Sequence, residues 1–260
     1  CWTETSGTYS WYTDNNGTGS SGTGPSSAYS GSNYFYTEAS SGTTGNIADL
    51  ISPILDLTPL TTPILSFYYH MYGATTDKLE IDIFDGSSWI NAVDAIIGQQ
   101  QTSNADAWRQ RVVNLSAYAS VSSLKVRFRA TRGTSFTGDM AIDDIEIKDA
   151  PNVSLDAIDG LQSSYCNAPI AVNLIVSNNS SNVENDVPWF IESNGSIINS
   201  GSINSIGPNS TDTVPVVIGI YPSNPNADII AYTSLATDFT SSDDTISTSI
   251  QVSYTALNAT

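Results

Sequence analysis

Short segments of alternating apolar and polar residues, separated by clusters of Gly, Ser, Asn, Asp and Pro, run the length of this 260-residue chain. No stretch carries apolar residues at the spacing of a long amphipathic helix. A period of two sends successive side chains to opposite faces of a strand. Many short segments of this kind predict an all-β sandwich or barrel. Leu79-Glu80-Ile81-Asp82-Ile83 turns Leu79, Ile81 and Ile83 inward and its two acids outward. The segment from Leu124 to Ala130 buries Leu124, Val126, Phe128 and Ala130, and exposes Lys125, Arg127 and Arg129. In the aromatic run from Phe67 to Tyr72, one face holds Phe67, Tyr69 and Met71, and the other holds Tyr68, His70 and Tyr72.

The pattern changes at Lys148-Asp149-Ala150-Pro151-Asn152, where the basic residues stop and a proline interrupts strand pairing. Two domains are expected, residues 1–149 and 150–260, each long enough to bury its own core. In the second, Ala171–Val176, Val187–Glu192, Thr213–Ile220, Ile229–Ser234 and Thr245–Tyr254 read as strands. Ser177-Asn178-Asn179-Ser180 and Ile206-Gly207-Pro208-Asn209-Ser210 read as turns. About seven strands in about 110 residues predict an immunoglobulin-like β-sandwich.

Charge narrows the partners. Only 13% of residues are charged, and the net charge is −18. All eight basic residues precede position 150, where they face sixteen acids; the remainder has ten acids and no base. Affinity for nucleic acid comes from cationic contacts that release counterions, so nucleic acid and anionic membrane are poor partners. Divalent cations suit the surplus, as does plain solubility. No apolar run approaches the roughly 18 residues of a membrane span, and no signal peptide is visible. Cys1 and Cys166 are the two cysteines. They form a bridge between the domains, remain thiols, or pair with something outside the chain. Their scarcity excludes a disulfide scaffold or zinc knuckle.

No catalytic constellation is visible. His70 is the single histidine, so any Ser-His-Asp or Cys-His arrangement has to use it. Its place in an aromatic strand reads instead as a structural, hydrogen-bonded histidine. Asp143-Asp144 looks like a carboxylate pair for glycoside hydrolysis, but adjacent side chains on a strand point to opposite faces. Asp82 and Asp85 flank a strand end and read as a solvated edge and the turn Asp85-Gly86-Ser87. Asp143 shares a face with Ala141, Ile145 and Ile147, and so points inward unless a bulge exchanges it with Asp144. A buried carboxylate needs a hydrogen bond, an ion pair or a metal. The stripe Lys125, Arg127 and Arg129 offers a site for an anionic glycan or acidic partner, against the simpler reading of cross-strand pairing with Glu80 and Asp82. Trp89, Tyr29 and Tyr12 are open candidates for stacking on sugars. Eight Asn-x-Ser/Thr sequons occur, several expected by chance in so Asn- and Ser-rich a chain.

An ordered motif series carries a family resemblance: Thr23-Gly24-Pro25, Tyr34-Phe35-Tyr36-Thr37-Glu38, Leu50-Ile51-Ser52-Pro53, Phe67 to Gly73, Trp108, and Ala141-Ile142-Asp143-Asp144-Ile145. Over roughly residues 1–149 it resembles the MAM domain, the β-jelly-roll module of meprins, neuropilins and receptor phosphatases. The series runs through the Gly/Ser/Thr-rich stretch Ser6–Ser32, which is therefore expected to be ordered loop and irregular strand edge. The resemblance implies core tryptophans at Trp11 and Trp108, and a non-catalytic adhesion or assembly module outside the cell. Similar jelly rolls hold a structural calcium between the last strand and early loops. The matching acids are Asp14, Glu38, Asp139, Asp143 and Asp144; for Asp143 the alternative is a backbone amide or an arginine. The second half resembles Ig-like modules of secreted Bacteroidota surface proteins, through Cys166-Asn167, Asn178-Asn179, the turn 206–210 and Asp243-Asp244-Thr245. The expectation is a fragment of a larger secreted or surface-anchored bacterial protein that recognises a glycan or a protein. The alternatives are a substrate-binding accessory region of a secreted hydrolase or protease, and a stalk without ligand.

Overall fold

In the computed structural model the described residues are 1–5, 7–165, 169–219 and 226–252. They form eighteen strands and one short 3-10 turn, Ser116–Tyr118, with no α-helix among them. The chain divides into two compact units, Cys1–Lys148 and Asp149–Thr260.

The first unit is a sandwich of two five-stranded sheets. One sheet has the order β1 (Thr3–Glu4), β4 (Ile47–Ile51), β9 (Lys125–Thr131), β6 (Lys78–Phe84) and β7 (Trp89–Ile97). The other has the order β2 (Trp11–Asp14), β3 (Tyr34–Thr37), β10 (Ala141–Asp149), β5 (Pro63–His70) and β8 (Arg109–Asn114). The alternation predicted from the sequence sets the register. Leu79, Ile81 and Ile83 of β6 and Val126, Phe128 and Ala130 of β9 lie in the core, as do Phe67 and Tyr69 of β5 with Met71 just beyond it. Phe67 meets Phe128 edge-on across the two sheets, with ring centroids 4.9 Å apart. Antiparallel pairing of β6 with β9 puts Glu80 opposite Arg129 and Asp82 opposite Arg127 on the outer face.

The stretch 7–32 contributes the strand β2 and a series of turns. These turns are anchored by Gly24 N–H donating to the Tyr72 carbonyl (2.9 Å) and by the Thr23 hydroxyl donating to the same oxygen (3.0 Å). Gly133 shows how closely two loops approach: a Cβ there would stand 1.6 Å from the Thr75 carbonyl oxygen. Two sequence expectations are corrected on this side. Ile142, not Asp143, enters the core, because Asp144 adopts a positive φ of 46° and bulges the strand. The bulge resets the alternation, so Ile145 and Ile147 still pack against the core, while Asp143 is buried as expected but outside that core, beneath the Tyr29–Ser30 loop. Trp108 likewise lies outside the core. It is half-buried against the outer face of β3 and β5, at 5.7 Å from Tyr34 and 5.6 Å from His70.

The second unit packs a three-stranded sheet against a five-stranded one around its own core. The smaller sheet is β11 (Val153–Asp159), β13 (Ile170–Asn178) and β16 (Ser210–Ile218). The larger is β12 (Ser164–Tyr165), β18 (Thr245–Val252), β17 (Asn226–Thr233), β14 (Glu184–Ser193) and β15 (Ser196–Ile206). Trp189 and Ile191 of β14 meet Leu174 and Val176 of β13 in this core. Asn178 is buried at the end of β13 and donates to the carbonyls of Asn182, Ile206 and Gly207, which excludes it as a glycan acceptor.

Candidate functional site

The outer face of the β4–β9–β6–β7 sheet is a closed charge network. Asp82 is fully buried there, although it sits on the solvent side of the sheet. It accepts from Arg127 Nε at 2.8 Å, from Arg129 at 2.9 Å, and from the backbone N–H of Ala92 at 2.7 Å. Ala92 reaches that position through a positive φ of 52° where β7 slips against β6. Arg127 also bonds Asn91 at 2.9 Å, lies 3.7 Å from Asp49, and stacks on the Trp89 ring at 4.2 Å. Arg129 stands 3.5 Å from Glu80. The stripe of Arg127 and Arg129 is thus brought together with Trp89, but its charge is neutralised in place. Lys125 is half-buried at the end of the same strand.

The five acids nominated for a metal fall into three places. Asp139 is fully buried in front of β10. One carboxylate oxygen accepts from Ala39 N–H at 2.8 Å, and the other meets no donor at full hydrogen-bond geometry. Burial raises its pKa to about 7, the Ala39 amide and the nearby Thr18 hydroxyl oppose that rise, and the charge of nearby Glu38 adds to it. Glu38 itself caps Ser40 N–H at 2.9 Å. Asp143 is satisfied by protein: one oxygen accepts from the N–H groups of Tyr29 (2.9 Å) and Ser30 (3.2 Å), the other from Asp144 N–H (2.8 Å). Asp144 is exposed and bonded to the Ser30 hydroxyl at 2.6 Å. Asp14 closes its own turn on Asn15 and Asn16. Among the described residues no three His, Cys, Asp or Glu side chains stand together as a metal cluster.

His70 has no exposed surface and packs against Trp108. Its ring nitrogens meet no acceptor at full hydrogen-bond geometry, but the Asp106 and Ser103 carbonyls lie close enough to act on the imidazole. Burial lowers its pKa to about 4, against the opposing pull of Asp106. Asp106 is tied into the Thr102–Ser103 turn by hydroxyl and amide donors, which hold its carboxyl far below the ordinary range.

One feature was not legible in the sequence. At the seam where the edge strands β1 and β2 of the two sheets come together, the half-buried Trp2 ring lies 6.2 Å from Phe35 and 5.9 Å from Phe128. Two clefts adjoin it, of ≈ 220 Å³ and ≈ 300 Å³, and they share Trp2, Thr13 and Phe35. The first reaches Asp143, Asp144 and Ile145, the second Glu4, Trp11 and Leu50. Tyr29 is 42% exposed, stacked at 3.5 Å on Tyr68, and its neighbour Ser30 holds Asp144; Tyr12 is 45% exposed and lines the second cleft. Cys1 is exposed beside the seam in sequence; Cys166, and with it the choice between a Cys1–Cys166 bridge and the alternatives, lies outside the described residues.

Residues 1–151 match the family described as MAM domain, meprin/A5/mu. The MAM domain-containing glycosylphosphatidylinositol anchor protein 1 of Gallus gallus is 33% identical over 130 residues, covering 48% of this chain and 13% of that protein. Thyroid hormone-induced protein B of Xenopus laevis is 34% identical over 157 residues, covering 60% of this chain and 20% of its own length. The chain thus spans a fifth or less of these relatives. Among solved structures, the K1 cleaved adhesin domain of Lys-gingipain from Porphyromonas gingivalis covers 57% of this chain and 90% of that one, at 20% identity and a TM-score of 0.43. No helix among the described residues is long and apolar enough to cross a membrane.

Proposed function

The chain belongs to the MAM domain family through residues 1–151, and from that premise we propose that it is a non-catalytic recognition module of a larger secreted or surface-anchored protein. The family match is the observation that carries this reading, since the MAM domain is an adhesion-type extracellular domain. The first unit presents the contact surface, and the second, read as an Ig-like spacer of the kind found on bacterial surface proteins, carries it away from its anchor. The partner is a glycan or a protein outside the cell. A substrate-binding accessory region of a hydrolase is the second reading, and the exposed tyrosines Tyr12 and Tyr29 favour it as far as a glycan platform goes.

Calcium belongs to the same proposal. Asp139 fits a hard cation: it is buried, one oxygen meets no donor at full hydrogen-bond geometry, and the Glu38 carboxylate is near enough to act on it. These two side chains would hold the ion with neutral oxygens around them, and the ion would supply charge compensation and rigidity. Asp14, Asp143 and Asp144 are engaged elsewhere and drop out of the ligand set. At about a hundredfold excess over its dissociation constant, calcium would stabilise the first unit by about 2.7 kcal/mol. Unfolding that is indifferent to calcium and to chelator refutes the ion.

The recognition role is tested by affinity electrophoresis against neutral and sulfated polysaccharides, with calcium and with chelator, beside aggregation of beads coated with the protein. Retardation or aggregation is expected. Neither effect in either buffer leaves a stalk without ligand.

A further inference from the structure

We propose that the seam around Trp2 is a docking site for an extended peptide segment of a partner protein, one that carries an apolar anchor residue flanked by Arg or Lys. The inference rests on the recognition role proposed above and names its surface and partner chemistry. Three observations carry it.

The first is apolar capacity beside an aromatic plug. Trp2 leaves a cleft on each side, floored by Phe35 and bounded by Leu50 on one hand and Ile145 on the other. Half-buried in a seam that leads to Phe128, the ring occupies the place an inserted side chain would take. Tilted aromatic contacts at this distance are favourable with many ring partners, so a guest aromatic or aliphatic side chain can pack beside it.

The second is charge. The ionisable carboxylates lining the two clefts are Glu4, Asp143 and Asp144, and no Lys, Arg or His lines either. Asp143 is satisfied by backbone amides, whereas Glu4 and Asp144 are exposed, Asp144 with one oxygen held by the Ser30 hydroxyl. An apolar floor rimmed by carboxylates is complementary to an apolar residue with cationic neighbours. A second copy of this chain is a poor occupant, because it brings a net charge of −18.

The third is the backbone. β1 and β2 are the edge strands of their respective sheets, and both border the seam. An edge strand presents unpaired N–H and C=O groups that an extended segment can meet, so peptide recognition by strand addition suits this margin.

The test uses the whole chain, nitrogen-15 labelled, titrated with the pentapeptide acetyl-Arg-Leu-Arg-Trp-Arg-amide. Controls replace its arginines by glutamate, or its Leu and Trp by serine. The five tryptophans give five indole N–H signals. Saturable shifts of Trp2 and Trp11 are expected, with Trp189 unmoved and neither control peptide active. The double substitution Glu4→Gln with Asp144→Asn should weaken binding about fivefold, the scale of two exposed ion pairs, and raised salt should do the same. Asparagine tolerates the positive φ at position 144, so that variant keeps its fold. Unmoved Trp2 at millimolar peptide, equal shifts on all five indoles, or unchanged affinity in the double variant each overturn the site. If the peptide fails while a polysaccharide retards the protein, recognition stands and lies on another surface; if both fail, the recognition reading falls as well.

Discussion

The sealed histidine makes a prediction that one proton can decide. Neutral His70 is favoured in the folded unit because burial disfavours the imidazolium more strongly than the Asp106 carboxylate and the Asp106 and Ser103 carbonyls favour it. Its pKa is lowered from 6.5 to about 4. In the pH window between those values the unfolded chain binds a proton that the folded chain refuses. Stability is therefore intact above 6.5, falls as pH drops toward 4, and loses nothing further from this group below that. Each pH unit of the window is worth about 1.4 kcal/mol, so the full loss is about 3 kcal/mol. Other carboxylates titrate in the same range, and Asp139, whose pKa is raised, contributes with the opposite sign, losing stability as pH climbs toward 7. A difference experiment removes them. Wild type and His70→Gln are unfolded by urea at several pH values from 7.5 to 4, and the gap between them is followed. The wild type should lose about 3 kcal/mol relative to the variant across the window. Because this is the single histidine of the chain, its ring carbon-bound proton also titrates alone in a proton–carbon NMR spectrum, with a midpoint near 4. A midpoint at or above 6, or a gap that does not change with pH, would refute the reasoning, since either means that burial does not outweigh the groups that favour the imidazolium.

Three further outcomes follow from the first unit. Asp82→Asn leaves two guanidinium groups facing a buried neutral side chain; it should cost about 3 kcal/mol in denaturant midpoint, and an exposed acid such as Asp85→Asn should cost far less. Gly133→Ala drives a methyl group to 1.6 Å from the Thr75 carbonyl oxygen, so two loops must separate; a loss of at least about 2 kcal/mol is expected in thermal unfolding, and a neutral result would show that the loops part freely. Phe67→Ala empties the contact between the two sheets and should cost about 4 kcal/mol, read as a lowered urea midpoint with the second unit's transition unchanged.

How far the sequence speaks depends on the kind of order involved. The inward sets of β6, β9 and β5 were legible because a period of two is imposed by the pleat itself, and a one-residue slip in any of these strands would turn its core side chains away from the core. The strand β15 was not legible. Ser-Ile-Ile-Asn-Ser-Gly-Ser-Ile-Asn-Ser-Ile reads as loop by propensity, yet its pairing with β14 over the length from Glu184–Ile206 to Ser193–Ser196 holds it extended. The burial of Asp143 was legible, but its setting was not: a bulge could be raised as an alternative, yet nothing local announces that Asp144 takes a positive φ and leaves Asp143 under a loop instead of in the core. The pairing of Arg127 and Arg129 with Asp82 was foreseeable from register, but the burial of Asp82 beneath them was not, because it needs the Ala92 amide to arrive from a slipped neighbour strand. The clefts beside Trp2 are a property of two sheet edges distant in sequence, and no linear pattern encodes them.

The distribution of charge explains why the acids, rather than the bases, are left to face a partner. Most basic side chains of the first unit are committed inside it. Arg132 is buried and donates to the carbonyls of Ala39, Ser41 and Gly133. Arg111 grips Asp94 through Nε at 2.6 Å and joins β8 to β7, the edge strands of opposite sheets. Arg127 and Arg129 close over Asp82, and Lys78 and Lys148 pair with Glu80 and Glu146. The second unit has no base at all, and there Ser, Thr and Asn take the role of donor, as where Ser154 and Ser177 hold Asp156 and Thr233 holds Asp244. Cations used as internal ties cannot also present positive charge outward, so the field at the surface is set by the uncompensated carboxylates. Such a surface repels phosphate and sulfate and raises the local concentration of cationic groups, which steers encounters without fixing their geometry. Geometry then has to come from shape, and the seam beside Trp2 is a place in the first unit that joins exposed acids to apolar clefts.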